Sequence, residues 1–442
     1  NLSVAGTLTS GNTVAISWAD TNSGSGATFT SWYDQIIVTN LTTGKQLLNT
    51  VLYYDANANG VIPAAGSRSR QVNLVLPNGA DGAGNLQITV IADNYDYQYE
   101  ANLAGSAQTN NTATLNVIST LGAYADLQVA GLVVTNVQVR SGSTLGIVWQ
   151  DANTGTGVIT NGFFDRITIV NATNSQTLLN TLLAYDPAPA GNIAGGGSAS
   201  RYYAFTLPEG PSGAGDFQIT ITADSQNNLY EYSPGIDAET NNASASTTTS
   251  ALSPYPDLVV TNIIVPVSAA AGGPIVISWT DRNQGSGAAT NSWFDQVFLT
   301  DTNSLGGGQI LGSFAYTSGL TAGQSVTLTQ TVTLPAFATS NQWIIVKANA
   351  AAAFYETSSA NNSAISTNPI GVAATLQLSV SPATVSEAAG AQAVLVSLSR
   401  NGNLTSPLTV AMSAVEGRVS THGHAALVRI VAPPRAAPGG IR

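Results

Sequence analysis

The sequence predicts an all-β protein built of tandem immunoglobulin-like β-sandwich domains in an elongated array. Three observations carry that expectation. Apolar residues alternate with a period of two, as in "TVAISW" at 13–18, where Val14, Ile16 and Trp18 share one face. Runs rich in β-branched and aromatic residues are separated by clusters of Gly, Asn, Asp and Pro, and no sustained helical period is present. The same constellation also stands three times in the chain: "SWADTNSGSGATFTSWYDQ" at 17–35, "VWQDANTGTGVITNGFFDR" at 148–166 and "SWTDRNQGSGAATNSWFDQ" at 278–296.

The recurrence sets the domain organisation. Trp18, Trp149 and Trp279 lie 131 and 130 residues apart, and Asp34, Asp165 and Asp295 keep the same offsets. "LP" recurs at 76–77, 207–208 and 334–335, "ITVIAD" at 88–93 returns as "ITITAD" and "IIVKAN", and each copy closes on an Asn pair. A period near 130 is far longer than a solenoid repeat, so each copy is expected to be a domain of its own. The expected boundaries are 1–120, with its first strand missing, then 123–251 and 254–371. A partial segment at 374–416 and an atypical tail at 417–442, read as disordered or out of frame, complete the chain.

Composition removes several function classes. Charged residues make up 8% of the 442 residues, against about 25% in an average globular protein. Hydrophobic residues at 43% still suffice for packed cores. A net charge of −11 with only 13 Lys and Arg repels phosphate backbones, so no nucleic-acid partner is expected. There is no cysteine, and both histidines, His422 and His424, stand in the tail outside every repeat. Neither a Ser–His–Asp nor a Cys–His arrangement can be assembled within the repeats, and the chain is expected not to be an enzyme. The charge-free stretch 258–280 is interrupted by Pro266, Gly272, Gly273 and Pro274, which argues against a membrane span. A Cys-free, acidic, β-rich chain fits a bacterial extracellular or cell-surface location, and a monomeric array is expected.

The triplicated stretch has a scaffold reading. Asp20 and Asp34 are expected to face each other across one hairpin mouth, accepting loop N–H groups, with Asp151 and Asp165, and Asp281 and Asp295, repeating the arrangement. Asn22, Gly24 and Gly26 are expected to supply the positive φ angles of that loop. The more chemical candidate is "ADSQNNLYEYSPGIDAETNN". Asp224, Asn227 and Glu231 fall at offsets 0, +3 and +7, with Glu239, Asn241 and Asn242 returning on the far side. Clustered carboxylate and amide oxygens are what a hard cation such as Ca²⁺ requires. The first copy keeps Asp93, Asp96 and Glu100 with Asn110 and Asn111, and the third has Asn349, Ala352 and Glu356. The expectation is Ca²⁺ in the second copy, weaker binding in the first and none in the third. The competing reading is an Asx-turn capping its own backbone. Tyr95, Tyr97 and Tyr99, expected on one strand face, and Tyr202–Tyr203 suggest contact with a sugar.

The pattern "PDLVVTNI … SWTDRNQGSGA … SWFDQVFLTD … LP … IIVKAN … YE … NN" resembles the bacterial cell-adhesion-related (CARDB-type) domain, and the second copy carries it most fully. The resemblance spans Asn1 to about Ile370, and "LQLSVSPATVSEAAGAQAVLVSLSRNGNLTSPLTVAMSA" at 376–414 is similar to the start of a Calx-beta domain. These resemblances imply large exported bacterial proteins in which such sandwiches are spacers or adhesive modules. The expected function is therefore a non-catalytic structural or adhesive stalk region, stiffened by calcium if the loop acids bind it. The alternatives are a module that grips a cell-surface glycan or protein, and an accessory region of a secreted hydrolase.

Overall fold

The computed structural model describes residues 1–102, 104–136, 138–338, 341–373, 375–381, 395–401, 409–413 and 427–431. Among them the chain is all-β and multidomain, as the alternating pattern requires. The first repeat contains β1 (Ser3–Ala5), β2 (Thr13–Thr21), β3 (Trp32–Asn40), β4 (Lys45–Tyr54), β5 (Ser67–Val75), β6 (Gly84–Ile91) and β7 (Thr112–Ser119). The second contains β8 (Leu127–Val134), β9 (Val139–Arg140), β10 (Thr144–Asn153), β11 (Phe163–Asn171), β12 (Gln176–Tyr185), β13 (Ser198–Thr206), β14 (Gly215–Thr222) and β15 (Ala243–Ala251). The third contains β16 (Leu258–Ile264), β17 (Ser268–Ala270), β18 (Pro274–Asn283), β19 (Trp293–Thr300), β20 (Gln309–Tyr316), β21 (Ser325–Thr333), β22 (Asn341–Lys347), β23 (Ser363–Ile365) and β24 (Ile370–Ala373).

Each repeat folds as two sheets. A three-stranded sheet runs β1-β2-β5, β8-β10-β13 or β16-β18-β21, and a larger one is centred on the pairs β3–β6, β11–β14 or β19–β22. The inward faces meet in a core. In the first repeat Val14, Ile16 and Trp18 of β2 pack against Ile36 and Val38 of β3 and Leu86, Ile88 and Val90 of β6. Every second residue of β2 and β3 is buried, the burial pattern that period-two alternation dictates. The largest sequence-visible exceptions are two single-turn helices, α1 (Ala56–Asn59) and α2 (Pro187–Ala190), capped by Asp55 and Asp186.

In the first repeat the strand at one edge of the smaller sheet is β1. β1 pairs only with Ala15–Ser17 of β2, whereas β8 runs along β10 as far as Leu127 beside Asn153, and β16 reaches Leu258 beside Asn283. Along Ala19–Thr21, β2 has no strand on that side among the described residues; its other side is paired to β5.

The chain divides into two compact units. One comprises Asn1–Val139, Ser143–Thr206 and Gly215–Ser250; the other comprises Arg140–Gly142, Leu207–Ala214 and Ala251–Arg442. Within the first unit the two repeats are joined through Tyr124. Its hydroxyl lies 2.8 Å from Ser10 Oγ and 3.4 Å from Asn78 Oδ1, while Gly122 N donates to Ser10 Oγ at 2.9 Å. Tyr230 and Tyr232 meet the Tyr124 ring at 5.2 and 5.8 Å between centroids. Within the second unit Tyr255 repeats this chemistry. Its hydroxyl lies 2.7 Å from Ser141 Oγ, donates to Glu209 Oε2 at 2.6 Å and accepts from Gly210 N at 2.8 Å.

Beyond the third repeat, β25 (Thr375–Ser381) pairs with β26 (Leu395–Asn401), and β27 (Thr409–Ser413) pairs with β28 (Leu427–Val431). The remainder of the expected partial segment and tail, including His422 and His424, lies outside the described residues. No helix among the described residues is long and apolar enough to cross a membrane.

Candidate functional site

The triplicated aspartates are core groups, and the hairpin-mouth expectation is corrected by the sheet assignment. β2 and β3 belong to different sheets, so Asp20 and Asp34 bridge the sandwich instead of closing one hairpin. Their partners are indoles, a guanidinium and, at Asp34, the N–H of Asp93 beyond β6 at 3.2 Å, not N–H groups of the glycine loop. Trp18 Nε1 and Trp32 Nε1 donate to Asp34 at 3.0 and 2.9 Å, and Arg70 reaches Asp20 at 3.1 Å and Asp34 at 3.0 Å. Arg70 also donates to the carbonyls of Leu52 and Tyr53 and lies over the ring of Tyr54. In the second repeat Arg201 plays the same part, at 3.2 Å from Asp151 and 3.0 Å from Asp165.

The third repeat keeps the acids and loses the cation. Leu328 stands opposite Trp279, where Arg70 and Arg201 stand opposite Trp18 and Trp149. Asp295 accepts from both Trp279 and Trp293 at 3.0 Å, but among the described residues no donor is hydrogen-bonded to either oxygen of the fully buried Asp281. Burial and the neighbouring Asp295 push the Asp281 carboxyl up to about 9, so a proton on Asp281, shared with Asp295, supplies the missing donor. Burial and the second acid likewise raise Asp20 to about 7 and Asp151 to about 8, with the arginines opposing. Buried acids with raised pKa values are a signature of active sites, yet these three pairs are enclosed by tryptophans and have a structural explanation in each repeat.

The loop acids at the far end divide into two groups. Asp93 accepts from Tyr97 N at 2.9 Å and Gln98 N at 2.7 Å; Asp224 accepts from Asn228 N at 2.9 Å and Leu229 N at 2.8 Å; Asn349 accepts from Ala353 N at 2.7 Å. These first residues have φ values of 45°, 39° and 45°, and Asp96, Asn227 and Ala352 follow at 55°, 50° and 49°. Offsets 0 and +3 are thus a left-handed turn closed by a side-chain acceptor. The turn also removes Tyr95, Tyr97 and Tyr99 from the expected strand. Tyr95 and Tyr97 instead gather at the surface around Tyr33, whose ring lies tilted against Tyr53 at 4.8 Å.

The acid at offset +7 holds the incoming chain. Glu231 Oε2 accepts from Leu127 N at 2.5 Å and Glu356 Oε2 from Leu258 N at 2.6 Å. Asn242 donates to Glu231 at 3.2 Å and to Glu239 at 3.4 Å, and Asn241 donates to Asp126 at 2.9 Å, matched by Asn361 and Asp257 at 2.9 Å. Burial, opposed by the Leu127 N–H and reinforced by Glu239, pushes Glu231 up to about 7. Among the described residues no three His, Asp or Glu side chains converge to hold a metal ion. In the first repeat Glu100, Asn110 and Asn111 line a cleft of about 390 Å³ with Asp93.

Gly24 and Gly26 do not adopt positive φ, nor does Asn22, which corrects the loop expectation. The glycines permit close approach. A Cβ on Gly155 or Gly157 would collide with the backbone of Ala123–Asp126, and one on Gly285 or Gly287 with that of Pro254–Asp257. The sequence reasoning therefore missed Asp126, Asp257, Asn153 and Asn283, which clamp this segment, and the arginine of each acid pair. Two signals were present: "DL" preceding the second and third copies, and Arg70 and Arg201 standing 131 residues apart, the spacing of the tryptophans.

Residues 255–366 match the CARDB family. Solved structures with similarity include the CARDB domain of a Pyrococcus furiosus protein in complex with di-metal ions, at 18% identity over 27% of this chain and 90% of that one, TM-score 0.22. Red sea bream transglutaminase is similar at 8% identity over 65% of this chain and 37% of its own, TM-score 0.20. Escherichia coli alpha-2-macroglobulin follows at 10% identity over 86% and 24%, TM-score 0.19. The chain thus spans about a third of the transglutaminase and a quarter of the macroglobulin. No curated protein matches it in sequence. A CARDB domain is found at residues 255–366.

Proposed function

We propose that this chain is a non-catalytic spacer of an exported bacterial protein, in which a tyrosine latch holds the first two sandwiches in fixed relation. The carrying observation is the Tyr124 hydroxyl seated between Ser10 and Asn78, with the same device at Tyr255, Ser141 and Glu209. A flexible tether needs no such specific contacts; a spacer that must keep its load at a set distance does. In the third repeat the positions of Ser10 and Asn78 are Ala271 and Ala336, so the latch chemistry appears only where another repeat follows. The absence of cysteine allows spin labels at Gln46→Cys and Thr177→Cys. Their distance distribution should be narrow in the parent chain and broad in Tyr124→Ala. A distribution that is already broad, or that the substitution leaves narrow, removes the spacer reading.

Calcium is a second reading, favoured by one observation. The buried Oδ1 atoms of Asn241 and Asn242 have no donor, and Glu231 and Glu239 stand beside them. A cation would use those oxygens and relieve the burial cost of the acids. At a dissociation constant of about 10⁻⁴ M, a few millimolar Ca²⁺ would stabilise the second repeat by about 2 kcal/mol. Its melting point should then fall by several degrees in EDTA. Equal melting in Ca²⁺ and EDTA would leave those acids as clamps for the incoming strand alone.

A further inference from the structure

In the first repeat four tyrosines meet on the outer face of the larger sheet. Tyr33 of β3 and Tyr53 of β4 are cross-strand partners with ring centroids 4.8 Å apart. Trp32 and Asp34 on either side of Tyr33 are buried, so Tyr33 points outward. Tyr95 and Tyr97, on the turn that follows β6, come within 5.9 and 6.2 Å of Tyr33 and 6.0 Å of each other. Tyr53, Tyr95 and Tyr97 remain 50%, 53% and 52% exposed, so the group forms a surface platform and not a core. The backbone beneath it is fixed. Asn94 N donates to Tyr33 O at 2.8 Å, Tyr97 N to Asp93 Oδ1 at 2.9 Å, and Thr30 Oγ1 to Tyr97 O at 3.0 Å.

The fold does not need these rings. The pair that matches Tyr33 and Tyr53 is Phe164 and Ala184 in the second repeat, and Phe294 and Ala315 in the third. Gln226 and Asn228, then Ala351 and Ala353, take the places of Tyr95 and Tyr97. The turn is nevertheless the same in all three, closed by Asp93, Asp224 or Asn349. Nor does the strand that enters a repeat cover this place. With Leu127 seated in the second repeat, Ala184, Gln226 and Asn228 are all exposed. Half-exposed rings that neither core nor turn requires point to a ligand.

Polarity and charge set the chemistry of that ligand. Two residues along β3 from Tyr33, on the same face, Gln35 Nε2 donates to Asn49 Oδ1 at 2.9 Å. That bond leaves one amide oxygen and one amide NH₂ beside the rings for hydroxyl groups. Asp96 stands exposed between Tyr95 and Tyr97, and the net charge of the chain is −11, so phosphates, sulfates and acidic sugars are repelled. The rings lie against one another and not around a gap that would enclose a cation. We infer that this face of the first repeat binds a neutral glycan chain of β-linked sugars. The axial C–H groups of such a sugar lie on the electron-rich face of a tyrosine ring, and its equatorial hydroxyls reach sideways to Gln35 and Asn49. β-linkage keeps successive sugar faces in one ribbon, which several rings hold together.

The test is calorimetric titration of the full chain with cellohexaose, xylohexaose, mannohexaose and chitohexaose. One-site binding of at least one of them is expected. The double variant Tyr95→Gln, Tyr97→Asn carries the residues of the second repeat, and should weaken that binding about tenfold or more at an unchanged melting point. Tyr202→Ala removes an exposed tyrosine outside the platform and should leave binding intact. No binding of any of these sugars, binding that survives the double substitution, or equal loss in Tyr202→Ala overturns the proposal. So does sedimentation of the sugar-free chain as a dimer that the double substitution dissociates, which would make the platform a protein contact.

Discussion

At the scale of single residues, the three acid pairs solve one problem in two ways. A buried carboxylate pair needs a counter-charge or a proton. Arg70 and Arg201 supply the first, and Leu328 forces the second. Asp281 keeps its proton in the folded chain to about 9, against an ordinary value of 3.8, so folding takes up a proton between those limits. The stabilisation is complete below the unfolded value and is lost as pH rises toward the folded one, at up to about 1.4 kcal/mol per pH unit. Asp281→Asn keeps a donor for Asp295 and has nothing to titrate. Scanning calorimetry should show the third-repeat transition declining from pH 5 to pH 8 in the parent chain and much less in the variant. The same decline in both would place the proton elsewhere. The acids themselves were legible from their triplication, but their role was not. Carboxylates in a Gly-rich stretch look like turn residues until the sheets are known to separate Trp18 from Trp32.

At the scale of elements, alternation in "TVAISW" and "FFDRITIV" was enough to read β2 and β11 and their inward faces, because a period of two has only one buried side. The loops were less legible. "ADNYDYQYE" has the alternating tyrosines of a strand, yet Asp93 at φ 45° and Asp96 at φ 55° turn the chain before a strand can form. A side-chain acceptor for two backbone N–H groups outweighed aromatic strand propensity there. Gly24 and Gly26 were read as conformational, yet neither has positive φ, and in the second and third copies the glycines of "GTG" and "GSG" are steric. What presses on them is a segment some thirty residues earlier, and no local pattern announces it. The equal spacing of Glu231 and Glu356 from their turn residues was visible, but not that their oxygens accept from the N–H groups of Leu127 and Leu258. Oxygens gathered at a loop serve a strand clamp and a cation alike, so the pattern by itself does not separate the two roles.

At the scale of the whole molecule, the latches make stability a property shared between neighbours. A chain of domains that touch only their neighbours behaves as intrinsic stabilities plus interface terms. The Tyr124 joint contributes two hydroxyl bonds between the repeats, of the order of 2 kcal/mol together, with the ring held in place by Tyr230 and Tyr232 of its own repeat. The first two repeats fall mostly in one compact unit. An interface of that size, set against domains of ordinary stability, makes the first two repeats unfold in a single calorimetric transition. Tyr124→Ala removes the latch, and Tyr124 belongs neither to the core cluster around Val14–Trp18 nor to the one around Leu127 and Phe163. The transition should then split in two, the less stable repeat melting first. Tyr124→Phe keeps the rings and loses the hydroxyl bonds, and should broaden the transition without resolving it. Two resolved transitions in the parent chain, or one unchanged transition in Tyr124→Ala, would mean that the tyrosine marks the joint without coupling the domains across it.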